Sequence, residues 1–250
     1  MDFLAAIFLG FVQGVTEWLP ISSSAHLSMF QHFLGLNVPV FFDVMLHFGT
    51  LVVILAFFRK EISKVLKNRE QILKIILASI PVCLVGYFFN GFIKSIFLDI
   101  RIIGFLLIIN GILLYSTKYF RPRDREITAK DSIFIGVFQA FSILPGISRS
   151  GSTISAALFR GIERGKAASF SFMIAILPIL GANVYELYNE LKLMQSFPIT
   201  IEYIIGTLVA MVVGYLSLKL LIKLLKDGRF HNFSYYCFIL GTVVVLISLI

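Results

Sequence analysis

Ten consecutive residues near the start of the chain place a carboxylate, a proline, three serines and a histidine within apolar sequence. They read Glu17-Trp18-Leu19-Pro20-Ile21-Ser22-Ser23-Ser24-Ala25-His26. A carboxylate inside a lipid bilayer costs roughly 3 kcal/mol or more unless it has a partner or a function. Pro20 ends a helix, and a serine after it can cap the next helix, whose free N–H groups attract anions. The segment therefore predicts an anion site at membrane depth.

A second segment repeats this pattern with a cation in place of the carboxylate. It reads Leu144-Pro145-Gly146-Ile147-Ser148-Arg149-Ser150-Gly151-Ser152-Thr153. Arg149 offers a planar fork of donors that suits phosphate oxygens, and Ser148 or Ser150 can cap the helix that follows. Two helix N-termini and an arginine together indicate phosphate chemistry inside the bilayer. We expect five hydroxyls to bind such a substrate: Ser22, Ser24, Ser148, Ser150 and Thr153. The alternative for the serines is that they only cap helices or allow close packing, and we expect at least one to do only that.

Several polar residues in and near these segments each allow two interpretations. Glu17 could simply pair with Arg149, but intramembrane ionisable groups are functional by default, and we expect a functional role. His26 could be a packing histidine, yet its place beside Glu17 and three serines favours proton transfer. Asp43 and His47 lie four residues apart and could face the same cavity. Asp43 could support a metal indirectly or lie at the membrane interface.

Other polar residues are expected to have no role in the site. Asn110 predicts a hydrogen bond between helices. Three polar residues of a later span are expected to be solvated at the outer surface: Asn183, Glu186 and Glu190.

The composition sets the class of protein that must position these residues. The chain is 58% hydrophobic and 14% charged, whereas soluble domains are about 25% charged, so it is a polytopic membrane protein. Its net charge of +8 lies mostly in short loops between apolar runs, as the positive-inside rule requires. This distribution argues against nucleic acid as a partner.

Hydropathy divides the chain into spans and broken stretches. Two apolar stretches, about 2–36 and 131–160, are interrupted by prolines, so we expect each to form a re-entrant helix-loop-helix hairpin. Six segments are long enough to cross about 30 Å of hydrocarbon: Val40 to Phe58, Ile72 to Asn90, Ile102 to Tyr119, Ala167 to Leu187, Ile201 to Leu221, and Ser234 to Ile250.

Loop charge predicts the orientation of these segments. The acidic loop near 186–202 belongs outside, and four basic loops belong in the cytoplasm, near 59–74, 118–130, 160–166 and 219–229. This assignment requires both hairpins to return to the side they came from. Both termini then lie outside.

The two halves of the chain also resemble each other. At an offset of 126, residues 9–25 and 135–151 share five identities over 17 positions. Each half would contain one hairpin and three spans. Because three is an odd number of crossings, the second half is inverted relative to the first. We therefore expect one domain over 1–250 with inverted repeats at about 1–120 and 131–250. The two hairpin tips should meet near the midplane.

These motifs resemble a known family. Gln13-x3-Glu17 with the segment from Leu19 to His26 resembles the first signature of the undecaprenyl-diphosphatases, which are linked to bacitracin resistance. The segment from Pro145 to Thr153 resembles the second signature. The resemblance implies removal of the terminal phosphate from undecaprenyl diphosphate, a polyprenyl lipid, which recycles the carrier of cell-wall synthesis. It also implies a site that opens to the outer face of the bacterial inner membrane.

The resemblance also suggests roles for individual residues. It implies catalytic roles for four of them: Glu17, Ser23, His26 and Arg149. It implies a divalent cation, Mg²⁺ or Ca²⁺, with Glu17 as candidate ligand and Gln13 and Asp43 as residues that support it indirectly. Many relatives have Glu where this chain has Gln13, so one carboxylate ligand is missing here. A homodimer in the membrane is a further expectation.

The residues leave the mechanism and one rival function open. Ser23 could attack phosphorus while His26 takes its proton, or His26 or Glu17 could activate water. Arg149, the helix N-termini and the cation would stabilise the transferred phosphoryl group in both cases. The rival is a lipid-phosphate transporter, since broken helices in inverted repeats are typical of transporters.

Overall fold

The computed structural model describes residues 2–193 and 200–249, and in these ranges the chain is built from helices. Their only β-type pairing is one bridge between Arg123 and Ile162. The helices are α1 Phe3–Trp18, α2 Ser23–Phe33, α3 Val40–Phe57, α4 Arg59–Leu66, α5 Arg69–Phe88, α6 Asn90–Phe97, α7 Ile100–Ser116, α8 Ala129–Phe141, α9 Arg149–Phe159, α10 Arg164–Leu193, α11 Ile201–Lys226 and α12 Phe233–Ile247. The predicted all-α class is confirmed.

Six helical segments in the described ranges are long and apolar enough to cross a membrane. They are Val40–Phe57, Arg69–Phe88, Ile100–Tyr119, Arg164–Asn189, Ile201–Lys226 and Phe230–Ile247. Each overlaps one predicted span, so the prediction of six spans is confirmed and the chain is a multi-pass membrane protein. The predicted last residue, Ile250, lies outside the described residues.

Both predicted breaks are present, and local sequence explains each one. Helix α1 ends at Trp18, two residues before Pro20, and α2 begins at Ser23 after the N-cap Ser22. Helix α9 begins after the N-cap Ser148, whose hydroxyl accepts from the Gly151 N–H at 3.1 Å. Gly146, at φ +111°, makes the turn that precedes it, in a conformation that favours glycine.

The first helix of each broken stretch packs closely against a span from the other half of the chain. A Cβ atom at Gly10 of α1 would collide with the Gly206 carbonyl of α11. A Cβ atom at Gly136 of α8 would collide in the same way with the Ala78 carbonyl of α5. Small residues at such contacts let the helix backbones approach, which is how membrane helices associate without a hydrophobic driving force between them.

The C-terminal end of α1 is anchored in the largest apolar cluster. Trp18 is fully buried, and its ring meets the edge of Phe172 from α10 at a centroid distance of 5.7 Å. This packing fixes the position of Glu17, the preceding residue.

Candidate active site

The two breaks meet, and hydrogen bonds join them directly. The Gly146 N–H donates to Ser22 Oγ at 3.0 Å, and Ser150 Oγ donates to the Trp18 carbonyl at 2.9 Å. Ser22 holds φ at +70°, a left-handed conformation that is uncommon for a residue other than glycine. The tips of the two broken stretches are therefore held against each other.

Asn110 of α7 links both tips with one side chain. Its Nδ2 donates to the Pro20 carbonyl at 2.9 Å, and its Oδ1 accepts from the Ser148 N–H at 3.1 Å. The predicted hydrogen bond from Asn110 is confirmed, and it supports the site itself. Sequence alone could not show that its partners would be the two breaks.

Glu17 lies where the two tips meet and accepts hydrogen bonds from both. Arg149 Nη2 donates to Oε1 at 2.5 Å. Oε2 accepts from Ser23 Oγ at 2.7 Å and from Gln13 Nε2 at 3.0 Å. Glu17 is only 7% exposed, so these donors compensate for the loss of its hydration. The carboxylate of one tip thus holds the arginine of the other and a serine of its own.

One nitrogen of the Arg149 guanidinium has no acceptor among the described residues. Its guanidinium lies 5.4 Å from the centre of the Trp18 ring, which orients it. Its Nη2 is used by Glu17, whereas the buried Nη1 has no hydrogen-bond partner anywhere in the described ranges. A buried guanidinium nitrogen without an acceptor is costly, so this atom is arranged for an acceptor that the protein does not supply.

A cavity of about 510 Å³ opens beside this ion pair. Six of its polar lining residues are Glu17, Ser23, Ser24, Asp43, His47 and Arg149. Six of its apolar lining residues are Val40, Val82, Ile93, Phe97, Ile143 and Ile179. The cavity therefore offers charge and hydroxyls together with an apolar wall, which suits a ligand with an anionic head and a hydrocarbon chain.

The structure brings most of the predicted site residues to this cavity. Ser22, Ser24 and Ser148 line it together with Glu17, Ser23 and Arg149. Ser150 and Thr153 do not, because their hydroxyls are used inside the protein. Ser150 bonds to the Trp18 carbonyl, and Thr153 Oγ1 donates to the Arg149 carbonyl at 2.8 Å. Their role in substrate binding stays a prediction.

His26 lies outside the cavity lining and is 3% exposed. Its Nδ1 is 2.7 Å from the Ser22 carbonyl, and its Nε2 is 2.7 Å from the hydroxyl of Tyr236 on α12. Because a carbonyl can only accept, Nδ1 carries the ring hydrogen, and Nε2 accepts from the tyrosine. Tyr236 had no signal in the sequence, since it lies 210 positions away in an apolar span.

The expectation that Asn183 is solvated is wrong. Asn183 of α10 is 9% exposed and lines the cavity, and its Nδ2 has no partner in the part of the chain that the structure describes. Glu186 is half-buried and also lines the cavity, one helical turn further on. The side chain of Glu190 lies outside the described residues. The solvated interpretation rested on the position of Asn183 along its span, which does not show which face of α10 packs toward the site.

The oxygen donors of the site fit a hard divalent cation shared with a substrate. In the described ranges no three His, Cys, Asp or Glu residues are grouped as a metal cage. However, Mg²⁺ is commonly bound by one or two carboxylates together with substrate phosphates. Glu17 and Asp43 both line the cavity, and Gln13 Oε1 is buried without a partner among the described residues. Asp43 accepts from Gln31 Nε2 at 3.0 Å, which holds its carboxylate in place.

Comparison with known proteins gives a consistent result over the whole chain. Residues 6–243 match the family described as "Bacitracin resistance protein BacA". An "Undecaprenyl-diphosphatase" from Halothermothrix orenii is 36% identical over 99% of this chain and 99% of its own. Proteins of the same name from Carboxydothermus hydrogenoformans and Methanococcus vannielii are 39% and 40% identical. They cover 99% and 96% of this chain, and 98% of each relative is matched.

Proposed function

The chain belongs to the family of the bacitracin resistance protein BacA, and we propose that it hydrolyses undecaprenyl diphosphate to undecaprenyl phosphate and inorganic phosphate. This reaction returns the lipid carrier of cell-wall synthesis to use. The observation that carries the proposal is that Arg149, whose buried Nη1 has no partner among the described residues, lines a cavity with an apolar wall together with Glu17 and Ser23. That arrangement supplies donors for a diphosphate and a surface for the start of the polyprenyl chain.

We propose Ser23 as the nucleophile and Glu17 as its base, because the serine already donates to this carboxylate at 2.7 Å. The Ser23 oxygen forms a bond to the terminal phosphorus and gives its proton to Glu17. The bond from that phosphorus to the bridging oxygen breaks, and undecaprenyl phosphate leaves. Water then attacks the phosphorus of the phosphoserine and the bond to the serine oxygen breaks. The proton held by Glu17 returns to that oxygen, which restores Ser23 as inorganic phosphate leaves.

The surrounding groups stabilise the charge that moves in this reaction. Arg149 donates from Nη1 to the transferred phosphoryl group while Nη2 keeps its contact with Glu17. Glu17 and Asp43, which both line the cavity, would hold a divalent cation with Gln13 as an indirect support, and that cation would neutralise phosphate charge. His26 donates a hydrogen bond to the carbonyl of Ser22. We therefore propose that His26 supports the turn of the first tip and does not contact the phosphorus.

We also propose that both broken stretches are re-entrant hairpins of an inverted repeat within one domain. The packing of the two halves supports this, since α1 lies on α11 and α8 lies on α5, while α3 meets α10 and α7 meets α12. The five identities between the tips and the distribution of loop charge agree with it. In this arrangement the protein lies in the bacterial inner membrane with both termini and the cavity mouth outside. A homodimer stays a prediction.

Phosphate release from undecaprenyl diphosphate in detergent tests the function. We expect release by the wild type, its loss with EDTA, and a fall of about 100-fold or more for Arg149→Gln. Arg101→Gln is the matched control, since this exposed arginine contacts only the Ser248 carbonyl by its side chain within the described residues. Binding of the lipid without release under any cation would contradict the proposal and favour the transporter.

A further inference from the structure

His47 of α3 is the histidine that faces the candidate active site. It lines the cavity, and its side chain is 32% exposed. One ring nitrogen, Nδ1, points into the polar cluster, 2.9 Å from Gln13 Nε2 and 3.4 Å from Glu17 Oε2. The mechanism proposed above gives this side chain no role.

The Gln13 amide determines which nitrogen of His47 carries hydrogen. Gln13 Nε2 donates to Glu17 Oε2 at 3.0 Å, so the amide presents its nitrogen to this corner of the site. The opposite orientation would set the Gln13 oxygen against a carboxylate oxygen, where nothing could donate. An amide nitrogen can only donate, so His47 Nδ1 accepts and the ring hydrogen lies on Nε2.

The Nε2–H of His47 has no acceptor among the residues that the structure describes. The buried Nη1 of Arg149 has none either, and both side chains line the same cavity. The site therefore presents two unused donors, one from the Arg149 guanidinium and one from the His47 ring.

We propose that His47 binds the substrate directly, by donating its Nε2–H to an oxygen of the diphosphate, and that Gln13 fixes the ring tautomer required for this contact. The proposal rests on the function proposed above. Gln13 is then a positioning residue, which gives its amide a role that a carboxylate could not fill, since a carboxylate cannot donate to Nδ1.

Two substitutions separate substrate binding from support of Glu17. In His47→Gln the amide nitrogen reaches approximately the position of Nε2, so the donor to substrate is kept. In His47→Asn the shorter side chain reaches only the position of Nδ1, so the contact with Gln13 is kept and the donor is lost. We expect His47→Asn to raise KM about tenfold, the effect of one lost hydrogen bond, and His47→Gln to stay within about threefold of the wild type.

Steady-state phosphate release with the full-length protein measures these values. His32→Asn is the control, because His32 is exposed at the end of α2. An unchanged KM in His47→Asn would overturn the proposal. An equal loss in both His47 variants would overturn it too, since it would show that the ring acts only through Glu17.

A spectroscopic experiment tests the tautomer of His47 and its contact with a diphosphate without relying on turnover. The chain has four histidines, so ¹⁵N NMR of histidine-labelled protein can assign His47 by its loss in His47→Gln. We expect the Nε2–H tautomer, and a shift of the Nε2 resonance when the non-hydrolysable methylenediphosphonate is added. The Nδ1–H tautomer, or no shift at saturation, would overturn the proposal even if wild-type hydrolysis is shown. Failure of wild-type hydrolysis would instead refute the function and leave this test of binding standing.

Discussion

At the scale of residues, the two site histidines have opposite surroundings. Both ring nitrogens of His26 are bonded inside the protein, whereas only Nδ1 of His47 has a partner among the described residues. His26 holds the carbonyl of Ser22, the residue with the left-handed backbone whose hydroxyl receives the Gly146 N–H. His26 thus stabilises the turn from which Ser23 is presented to Glu17.

This geometry predicts that Tyr236 acts on the reaction through His26. Tyr236→Phe leaves Nε2 of His26 without its donor, which costs about 1 kcal/mol. We expect kcat for phosphate release to fall about fivefold with KM unchanged, since neither His26 nor Tyr236 lines the cavity proposed to bind the substrate. Tyr235→Phe is the control, because that ring points to Tyr115 instead. A change in KM alone would show that Tyr236 affects binding and not the position of the turn.

The sequence revealed the charged pair of the site but not its surroundings. Glu17 and Arg149 could be predicted because charge is rare in apolar sequence. The expectation that Asp43 and His47 face the same cavity is confirmed. The places of Asn183 and Tyr236 could not be predicted, since each depends on how a span is rotated and which helix faces it. Helical spacing says which residues share a face, but the face that meets the site is set by packing between distant segments.

At the scale of elements, an ion cluster joins the start of α8 to the end of α9. The buried Asp131 receives two hydrogen bonds from Arg125, at 2.7 and 3.0 Å, and one from Arg160 Nε at 2.7 Å. Thr128 completes a capping box with it. Burial would raise the pKa of Asp131, but the hydrogen bonds from Arg125 and Arg160 hold it well below its usual range. The cluster therefore holds together the two ends of the second broken stretch, the start of α8 and the end of α9.

The lowered pKa predicts how this cluster responds to acid. A carboxyl group with a lower pKa in the folded than in the unfolded chain adds stability above pH about 4 and loses it as the pH falls from there. Asp131→Asn should destabilise the protein by about 1–3 kcal/mol at pH 7. Thermal unfolding in detergent should show that the gap in unfolding free energy between the wild type and Asp131→Asn narrows as the pH falls from 5 to about 3. A gap that stays constant over that range would contradict the role of the ionised carboxylate.

At the scale of the whole molecule, the broken stretches and spans could be read from sequence because prolines and hydropathy mark them. The repeat at an offset of 126 predicted that the two tips would meet. The individual contacts between helices could not be predicted from the sequence. Hydrogen bonds join the two tips, and close glycine contacts of α1 with α11 and of α8 with α5 hold the two helices in place. Such contacts depend on shape more than on residue type.

The orientation proposed for the molecule predicts which positions are reached from outside. In a background with Cys83→Ser and Cys237→Ser, a membrane-impermeant maleimide added to intact cells should label Asp2→Cys. It should label Lys67→Cys, in the basic loop before α5, only after the cells are opened. Labelling of Lys67→Cys in intact cells would show that the arrangement is inverted.

In the proposed function, Glu17 from one tip and Arg149 from the other form a single phosphatase site. The most direct test is a double-mutant cycle on kcat/KM for phosphate release, with Glu17→Gln, Arg149→Gln and both together. Because the two side chains are in contact and both act on the phosphoryl group in the proposed mechanism, their effects should be strongly non-additive. We expect the double variant to be about as slow as the slower single variant. Full additivity of the two losses would contradict it, because it would mean that the two tips act independently.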